Sequence, residues 1–333
     1  MSTETTAAQG LPVIAGNTQL LGELRTMRRQ NHLPHALLLH GEHGTGKKLI
    51  AKWFTMLVMC EDAEHAPCCK CRSCRLILDD AHPDVYYAEH SGKKMGFSVE
   101  TARDVRREAA ILPNNGDKRI FLFCDADGMS PQAQNALLKS VEEPPPHALF
   151  VFTAETVGVL LPTLLSRMTV KSVSPVTRPV CIEALVRRDF SPEDAQQAAS
   201  RFGGNIGKCL AYLSDEKMRR CTDTAAALTA ALAGQDEYTL LRLLTAAAAD
   251  KDELRQVLSL LDVQIRDAAM LTLEGDFTRL GCDRKSAEAL SGRLTPRRTA
   301  RLHGAISEAV SDLDGNVGAV LTVTALCAAL YEA

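Results

Sequence analysis

The stretch from Ala36 to Met59 constrains this chain more than any other. Ala36 to His40 (ALLLH) reads as a short buried strand. Gly41-Glu42-His43-Gly44-Thr45-Gly46-Lys47-Lys48 reads as a glycine-rich loop, and Leu49 to Met59 as an apolar helix. Strand, glycine loop and helix in that order form the setting of a phosphate-binding P-loop, in which backbone N–H groups at a helix start face an oxyanion. Val85 to Glu89, Ile120 to Cys124 and Leu149 to Thr153 are three further strand candidates, each set between polar or helical stretches. Strands alternating with helices imply crossover connections, so the first half should be an α/β domain with a parallel sheet covered on both faces.

The loop follows G-x-x-x-x-G-K-[ST] at every slot but the last. That slot calls for a hydroxyl on Mg²⁺, and Lys48 stands there. A charged lysine has three donors and no lone pair, so it cannot ligate a metal. A working site also needs an aspartate for the metal and a glutamate for the attacking water at the end of a later strand. The candidate strand Ile120–Phe123 runs into Cys124-Asp125-Ala126-Asp127. Spacing to the next helix puts Cys124 in the metal slot and Asp125 in the glutamate slot. Moving the register by one gives Asp125 the metal and leaves Ala126 as the base. Either way the pair is incomplete, and a thiol is a poor partner for Mg²⁺. ATP binding at Gly41, Gly44, Thr45, Gly46, Lys47 and Lys48 stays open, while Mg²⁺-dependent hydrolysis is not expected.

Cys60, Cys68, Cys71 and Cys74 are spaced C-x7-C-x2-C-x2-C. Four thiolates so spaced suit tetrahedral Zn²⁺, and a closed set of four leaves no open position for catalysis. The expected site is therefore structural. Cys69 is a fifth thiol outside the set, and His65 a weaker substitute ligand. Lys70, Arg72 and Arg75 around the cluster read first as a solvated surface. The first ten residues are polar and lack a basic leader, and in a cytosolic chain the eleven cysteines read as metal ligands or free thiols and not disulfides. With no apolar run of membrane-span length, the expectation is a cytoplasmic chain with no membrane partner. The net charge of −3 gives no global attraction to nucleic acid, leaving local patches such as Lys93, Lys94, Arg103, Arg106 and Arg107.

Further along, Pro175 to Pro179 reads as a linker, Ser191-Pro192-Glu193-Asp194 as a helix start and Gly203-Gly204-Asn205 as a turn. From about Asp215 to Ala333 only helical periodicity is visible, which implies an all-α region. The domain reading is a tail at 1–10, a P-loop-like domain at 11–172 with the zinc module at 60–74, a small helical domain at 173–216 and a helical domain at 217–333.

The string Asn135-Ala136-Leu137-Leu138-Lys139-Ser140-Val141-Glu142-Glu143-Pro144-Pro145 resembles one found in bacterial clamp-loader subunits of the AAA+ class. Ser166-Arg167-Met168 is similar to that family's Ser-Arg-Cys motif, with methionine for cysteine, and the cysteine module followed by His82-Pro83-Asp84 agrees as well. The resemblance implies an AAA+ domain, a lid at 173–216 and an oligomerisation collar at 217–333. It places Gly207 in the slot of the lid's sensor arginine. It also implies that Arg167, with Ser166 beside it, reaches into a neighbour's ATP site, a task suited to a planar, permanently charged guanidinium. The bland reading is an arginine capping its helix C-terminus, and Glu142 and Glu143 would only close theirs.

The role so implied is a non-hydrolysing stator in the DNA polymerase III holoenzyme, loading a sliding clamp on primed DNA. Its partners would be the gamma/tau motor subunits, the delta subunit, the clamp and primer-template DNA, with polymerase activity in another subunit. The alternatives are a motor-type clamp-loader ATPase with divergent motifs and a zinc-containing DNA-binding module.

Overall fold

The computed structural model describes residues 14–90, 97–272, 284–315 and 317–332. The first ten residues, and Lys93 and Lys94 of the basic neighbourhood, lie outside them. The chain divides between Ser174 and Pro175 into two compact units.

The first unit runs α1 (Thr18–Arg29), β1 (Ala36–His40), α2 (Lys47–Met59), α3 (Arg72–Leu78), β2 (Val85–Tyr87), α4 (Val99–Ala109), β3 (Arg119–Phe123), α5 (Pro131–Glu142), β4 (Ala148–Ala154), α6 (Pro162–Leu165) and β5 (Thr169–Ser172). The five strands pair in parallel in the order β2-β3-β4-β1-β5. The expected strands are all present, β1 with its expected ends and the other three with shifted ones. β2 is two residues shorter than the apolar run suggested, and α2 begins two residues earlier, at Lys47. β5 had no counterpart in the sequence reading. Its residues alternate between half-buried and exposed, as an edge strand's do.

Strand side chains alternate faces, and the two faces have separate cores. Leu37, Leu39, Ile120, Leu122, Leu149 and Val151 pack with α1, α2 and α3. Leu38, Phe121, Phe123, Phe150 and Phe152 pack on the opposite face with α4 and α5. The β3–β4 register sets Phe121 beside Phe150 and Phe123 beside Phe152, with stacked rings 5.2 and 4.6 Å apart. Fully burying each such side chain contributes about 1.5–3 kcal/mol. This ladder fixes the C-terminal ends of β3 and β4 against each other, next to the glycine loop that follows β1.

The second unit is helical throughout its described residues: α7 (Arg178–Val186), α8 (Pro192–Arg201), α9 (Ile206–Ser214), α10 (Glu216–Gly234), α11 (Glu237–Ala247), α12 (Lys251–Met270), α13 (Arg284–Ser291), α14 (Pro296–Asp314) and α15 (Ala319–Glu332). The run Pro175–Pro179 is a linker only at its start, because α7 begins at Arg178 with Pro179 in its first turn, where a missing N–H costs nothing. Ser191, Asn205, Asp215, Asp236, Asp250 and Thr295 each cap the helix that follows by accepting from its free N–H groups. The helices bury two clusters. One, around Cys181, Leu185, Ala198, Phe202 and Cys209, belongs to α7–α9. The other, around Leu228, Leu244, Leu258, Leu302 and Leu326, belongs to α10–α15. No helix among the described residues is long and apolar enough to cross a membrane.

Candidate functional site: a closed phosphate loop, a cysteine cluster and a tethered arginine

Gly41 turns the chain out of β1 so close to the neighbouring edge that a Cβ there would lie 2.1 Å from the Val173 carbonyl oxygen. Only glycine fits. Thr45 donates its hydroxyl to the Glu42 carbonyl (2.9 Å), and Gly46, at φ +90°, starts α2 in a backbone region that other residues rarely adopt. The loop geometry of the motif is thus intact.

Its charges are engaged within the chain. The Lys47 ammonium is buried and donates to the carbonyls of Gly41 (2.6 Å) and Glu42 (2.9 Å). Burial pulls its pKa down, against the acids Glu155, Asp127 and Asp125. Lys48, in the hydroxyl's slot, forms an ion pair with Asp125. Asp125 has left-handed backbone (φ 56°) and donates its N–H to Thr153 Oγ1 at the end of β4 (2.8 Å). Asp127 accepts from the Glu155 N–H at 2.8 and 3.1 Å. Both acids therefore tie β3 to its surroundings. Cys124 sits at the end of β3 with its thiol pushed up by burial.

The cysteine cluster gathers as its spacing indicates. The Sγ atoms of Cys60, Cys68, Cys71 and Cys74 all lie within 4.8 Å of one another. A tetrahedral ion with Zn–S bonds of about 2.3 Å requires sulfurs about 3.8 Å apart. Three backbone N–H groups point at these sulfurs: Cys68 to Cys60 (3.3 Å), Cys71 to Cys68 (3.3 Å) and Cys74 to Cys71 (3.4 Å). Such donors favour thiolates. Burial pushes the Cys60 thiol up to about 11, whereas at Cys68 burial is outweighed by N–H groups of Lys70 and Cys71 and by neighbouring thiols, leaving it at about 7. Buried thiols resist ionisation alone and give up their protons to a metal, so the donor set fits a divalent soft ion. Cys69 turns its sulfur to the Pro67 carbonyl (3.7 Å), and His65 pairs with Asp62 (3.2 Å) at the surface, so neither joins the set. Glu61 closes the module by accepting from the Ser73 N–H (3.1 Å) and hydroxyl (3.0 Å).

Arg167 lies just past α6, whose C-cap is Ser166. Its Nη1 donates to the Thr163 carbonyl (2.8 Å) and to Ser166 Oγ (3.0 Å), and Nη2 meets Glu142 Oε1 at 2.5 Å. The first of these contacts is the helix-capping role of the bland reading. The last corrects the reading of Glu142 as a mere helix end. A glutamate closing a helix, where cations are normally favoured, was the one sequence signal that it has a basic partner.

The remaining residues fall elsewhere. Gly207 is in the first turn of α9. Arg103, Arg106 and Arg107 lie on α4 interleaved with Glu100 and Asp104, and Arg107 pairs with Asp104, so this face is mixed in charge. Asp84 is fully buried. It accepts from the N–H groups of Asn114 (2.6 Å) and Asn115 (2.7 Å) and from Asn114 Nδ2 (3.0 Å), pinning the turn that enters β3.

A parallel sheet in this order, with a glycine loop after β1 and acids after β3, gives the first unit the architecture of a P-loop domain, and it resembles AAA+ clamp-loader folds. Residues 16–177 match the model of the family described as DNA polymerase III, delta subunit. By sequence the chain is delta-prime-like and similar to DNA polymerase III clamp-loader subunits, the family match lying in this half.

The delta-prime subunit of Escherichia coli K12 is 28% identical over 212 residues, 63% of this chain and 64% of that protein. The tau subunit of Bacillus subtilis 168 is 29% identical over 185 residues, covering 55% of this chain and 32% of its own. The match thus spans less than two thirds of these relatives. A gamma-subunit-related DNA polymerase III protein of Thermotoga maritima is similar in structure over 93% of this chain and 98% of its own, at 17% identity and a TM-score of 0.40.

Proposed function

We propose that this chain is a non-hydrolysing, delta-prime-like subunit of a clamp loader, and that it lends Arg167 to the ATP site of a neighbouring motor subunit. The observation that carries the reading is the Lys48–Asp125 pair. It joins by a fixed cation the two segments that Mg²⁺ would have to bridge in a working site. Loss of metal ligand and base together removes most of the means by which phosphoryl transfer is catalysed. Gly207 in the sensor slot is a third loss on the same side.

On this reading α7–α9 form the lid (173–216), α10–α15 the collar (217–333), and the cysteine module holds structural zinc. The gamma/tau and delta subunits are the partners, with the clamp and primer-template DNA met by the assembled ring in the cytoplasm.

Two measurements test it. The purified chain should show no Mg²⁺-dependent ATP turnover above background, and turnover abolished by Lys47→Ala would instead establish a divergent motor. Arg167→Ala should leave the chain folded and slow ATP hydrolysis by the reconstituted complex at least ~10³-fold per site served, the usual scale for an arginine finger. Unchanged complex ATPase would remove the assignment.

A further inference from the structure

The guanidinium of Arg167 is held by three acceptors of its own chain, and one of them has no role in the reading above. Thr163 and Ser166 lie on the same short segment as the arginine, so their contacts follow from local geometry. Glu142 comes from a different element, the end of α5, and approaches Nη2 at 2.5 Å.

The placement runs against the helix. The C-terminal end of α5 carries the negative end of the dipole, where cations are stabilising and carboxylates are not. The chain sets Glu142 and Glu143 there in succession. Lys139 in the same last turn and the ion pair with Arg167 offset that repulsion, and Arg167 is the cation in direct contact with the carboxylate. The arginine gains in turn, because a long side chain with many rotamers is confined to one of them before any partner arrives.

The donor arithmetic decides between holding and sequestering. A guanidinium has five N–H groups in a rigid fork. Nη1 spends both of its hydrogens on Thr163 and Ser166, and Nη2 spends one on Glu142. The Nε–H and one Nη2–H are left to donate to phosphate oxygens. The pair is also reachable: the Arg167 and Glu142 side chains keep 38% and 40% of their exposure.

We infer that Glu142 is the positioning residue of the trans-acting arginine. Its carboxylate fixes the Arg167 guanidinium so that the two remaining N–H groups are presented to a neighbouring subunit's nucleotide phosphate. This rests on the assignment of Arg167 proposed above. It gives a function to a glutamate that the sequence offered only as a helix end.

The test uses the reconstituted complex of full-length chain, motor and delta subunits, with steady-state ATPase measured on primed DNA and clamp. Four variants of this chain are compared with wild type: Glu142→Ala, Glu142→Gln, Arg167→Ala, and Glu142→Ala combined with Arg167→Ala. Glu142→Ala should lower kcat about tenfold while KM for ATP stays within about twofold, the split expected when an interaction of the transition state alone is weakened. Glu142→Gln keeps an acceptor oxygen without the charge and should recover part of the loss. In the Arg167→Ala background the Glu142 change should cost nothing further, since its effect passes through the arginine. The melting temperature of the free chain reports on folding, and Glu142→Gln carries the test if the alanine variant is unstable.

An unchanged or faster kcat in Glu142→Ala, or an undiminished further loss on top of Arg167→Ala, overturns the inference. If Arg167→Ala is itself silent, the finger assignment has failed and this inference falls with it. If Arg167→Ala is slow while Glu142→Ala and Glu142→Gln are normal, the positioning role alone is refuted.

Discussion

The Lys48 ammonium lies against the Asp125 carboxylate, joining the first turn of α2 to the chain leaving β3. The two residues stand 77 positions apart, and Lys48 occupies the slot where the intact motif has a hydroxyl. Lysine replaces a metal-binding hydroxyl, and the aspartate it binds is one of the acids left for metal or water. Positive charge is retained between loop and strand end, but in a form that offers no coordination sites and no activated water. On the reading proposed above, the loop keeps its geometry because the domain's shape still serves assembly.

Replacing Lys48 by threonine should therefore restore the motif on paper without restoring turnover. Cys124, Asp125 and Ala126 still lack a complete metal-and-base pair, so Mg²⁺-dependent ATPase of Lys48→Thr should stay at background. The structural cost should also be small. Side chains 60% and 45% exposed form an ion pair worth about 0–1 kcal/mol. The melting temperature should fall by no more than about 4 °C. A Lys48→Thr protein that hydrolyses ATP at rates near ~1 s⁻¹ would show that the lysine alone silences the site.

Zinc should be present at one ion per chain by elemental analysis. Chelation, or Cys74→Ser, should raise amide exchange across residues 60–74 and at α3. The core of the parallel sheet should stay protected, because the metal organises only the module around it. The module contributes Cys60 and Cys74 to the α2 side of the core, so some loss of stability in the first unit is expected. Purified protein without metal, and indifferent to chelators, would refute the site.

What the sequence showed and what it hid divide along a physical line. Features written in neighbouring residues were legible: the glycine loop after ALLLH, the C-x2-C pairs, the cap at Ser191 and the turn at Gly203-Gly204. β1, β3 and β4 stood out because both of their faces are buried and their residues are mostly apolar, and the edge strand β2 because Val85, Tyr86 and Tyr87 form an apolar run although it is only part-buried. β5 did not, because Thr169, Val170, Lys171 and Ser172 form an edge with one exposed face. The contacts that define the site join residues far apart in the chain. Lys48 with Asp125, Arg167 with Glu142, and Asp84 with Asn114 and Asn115 are set by the order of strands, and apart from the carboxylate at the end of α5 no local pattern announces a partner.

Two histidines should titrate below the ordinary value of about 6.5. Burial lowers His82, and burial with the nearby Lys47 ammonium lowers His40. Both are neutral in the folded protein over a range where the unfolded chain takes up a proton. The unfolded state then binds more protons, so stability rises with pH. The full contribution is present above about pH 6.5 and is lost as pH falls from there towards the depressed folded values. NMR titration of the two imidazoles checks the direction. A folded pKa at or above 6.5 for either would contradict it.

Asp84 gives the sharpest stability test, because it is a fully buried carboxylate whose three bonds all go to one exposed turn. One carboxylate oxygen accepts from the Asn114 backbone and side chain, the other from the Asn115 backbone. Asp84→Ala removes three hydrogen bonds to a charged acceptor, each worth about 1.5–3 kcal/mol, and the donors of exposed Asn114 and Asn115 recover part of that by turning to water. The loss should be near ~3 kcal/mol, read as a lower denaturant midpoint for the first unit. Asp84→Asn keeps one acceptor oxygen and turns a donating NH₂ towards the other N–H, so it should recover less than half. Because the turn at Asn114-Asn115 leads into β3, amide protection in β3 should weaken with the midpoint. A substitution that costs under ~0.5 kcal/mol would mean that the turn is held by the strand alone.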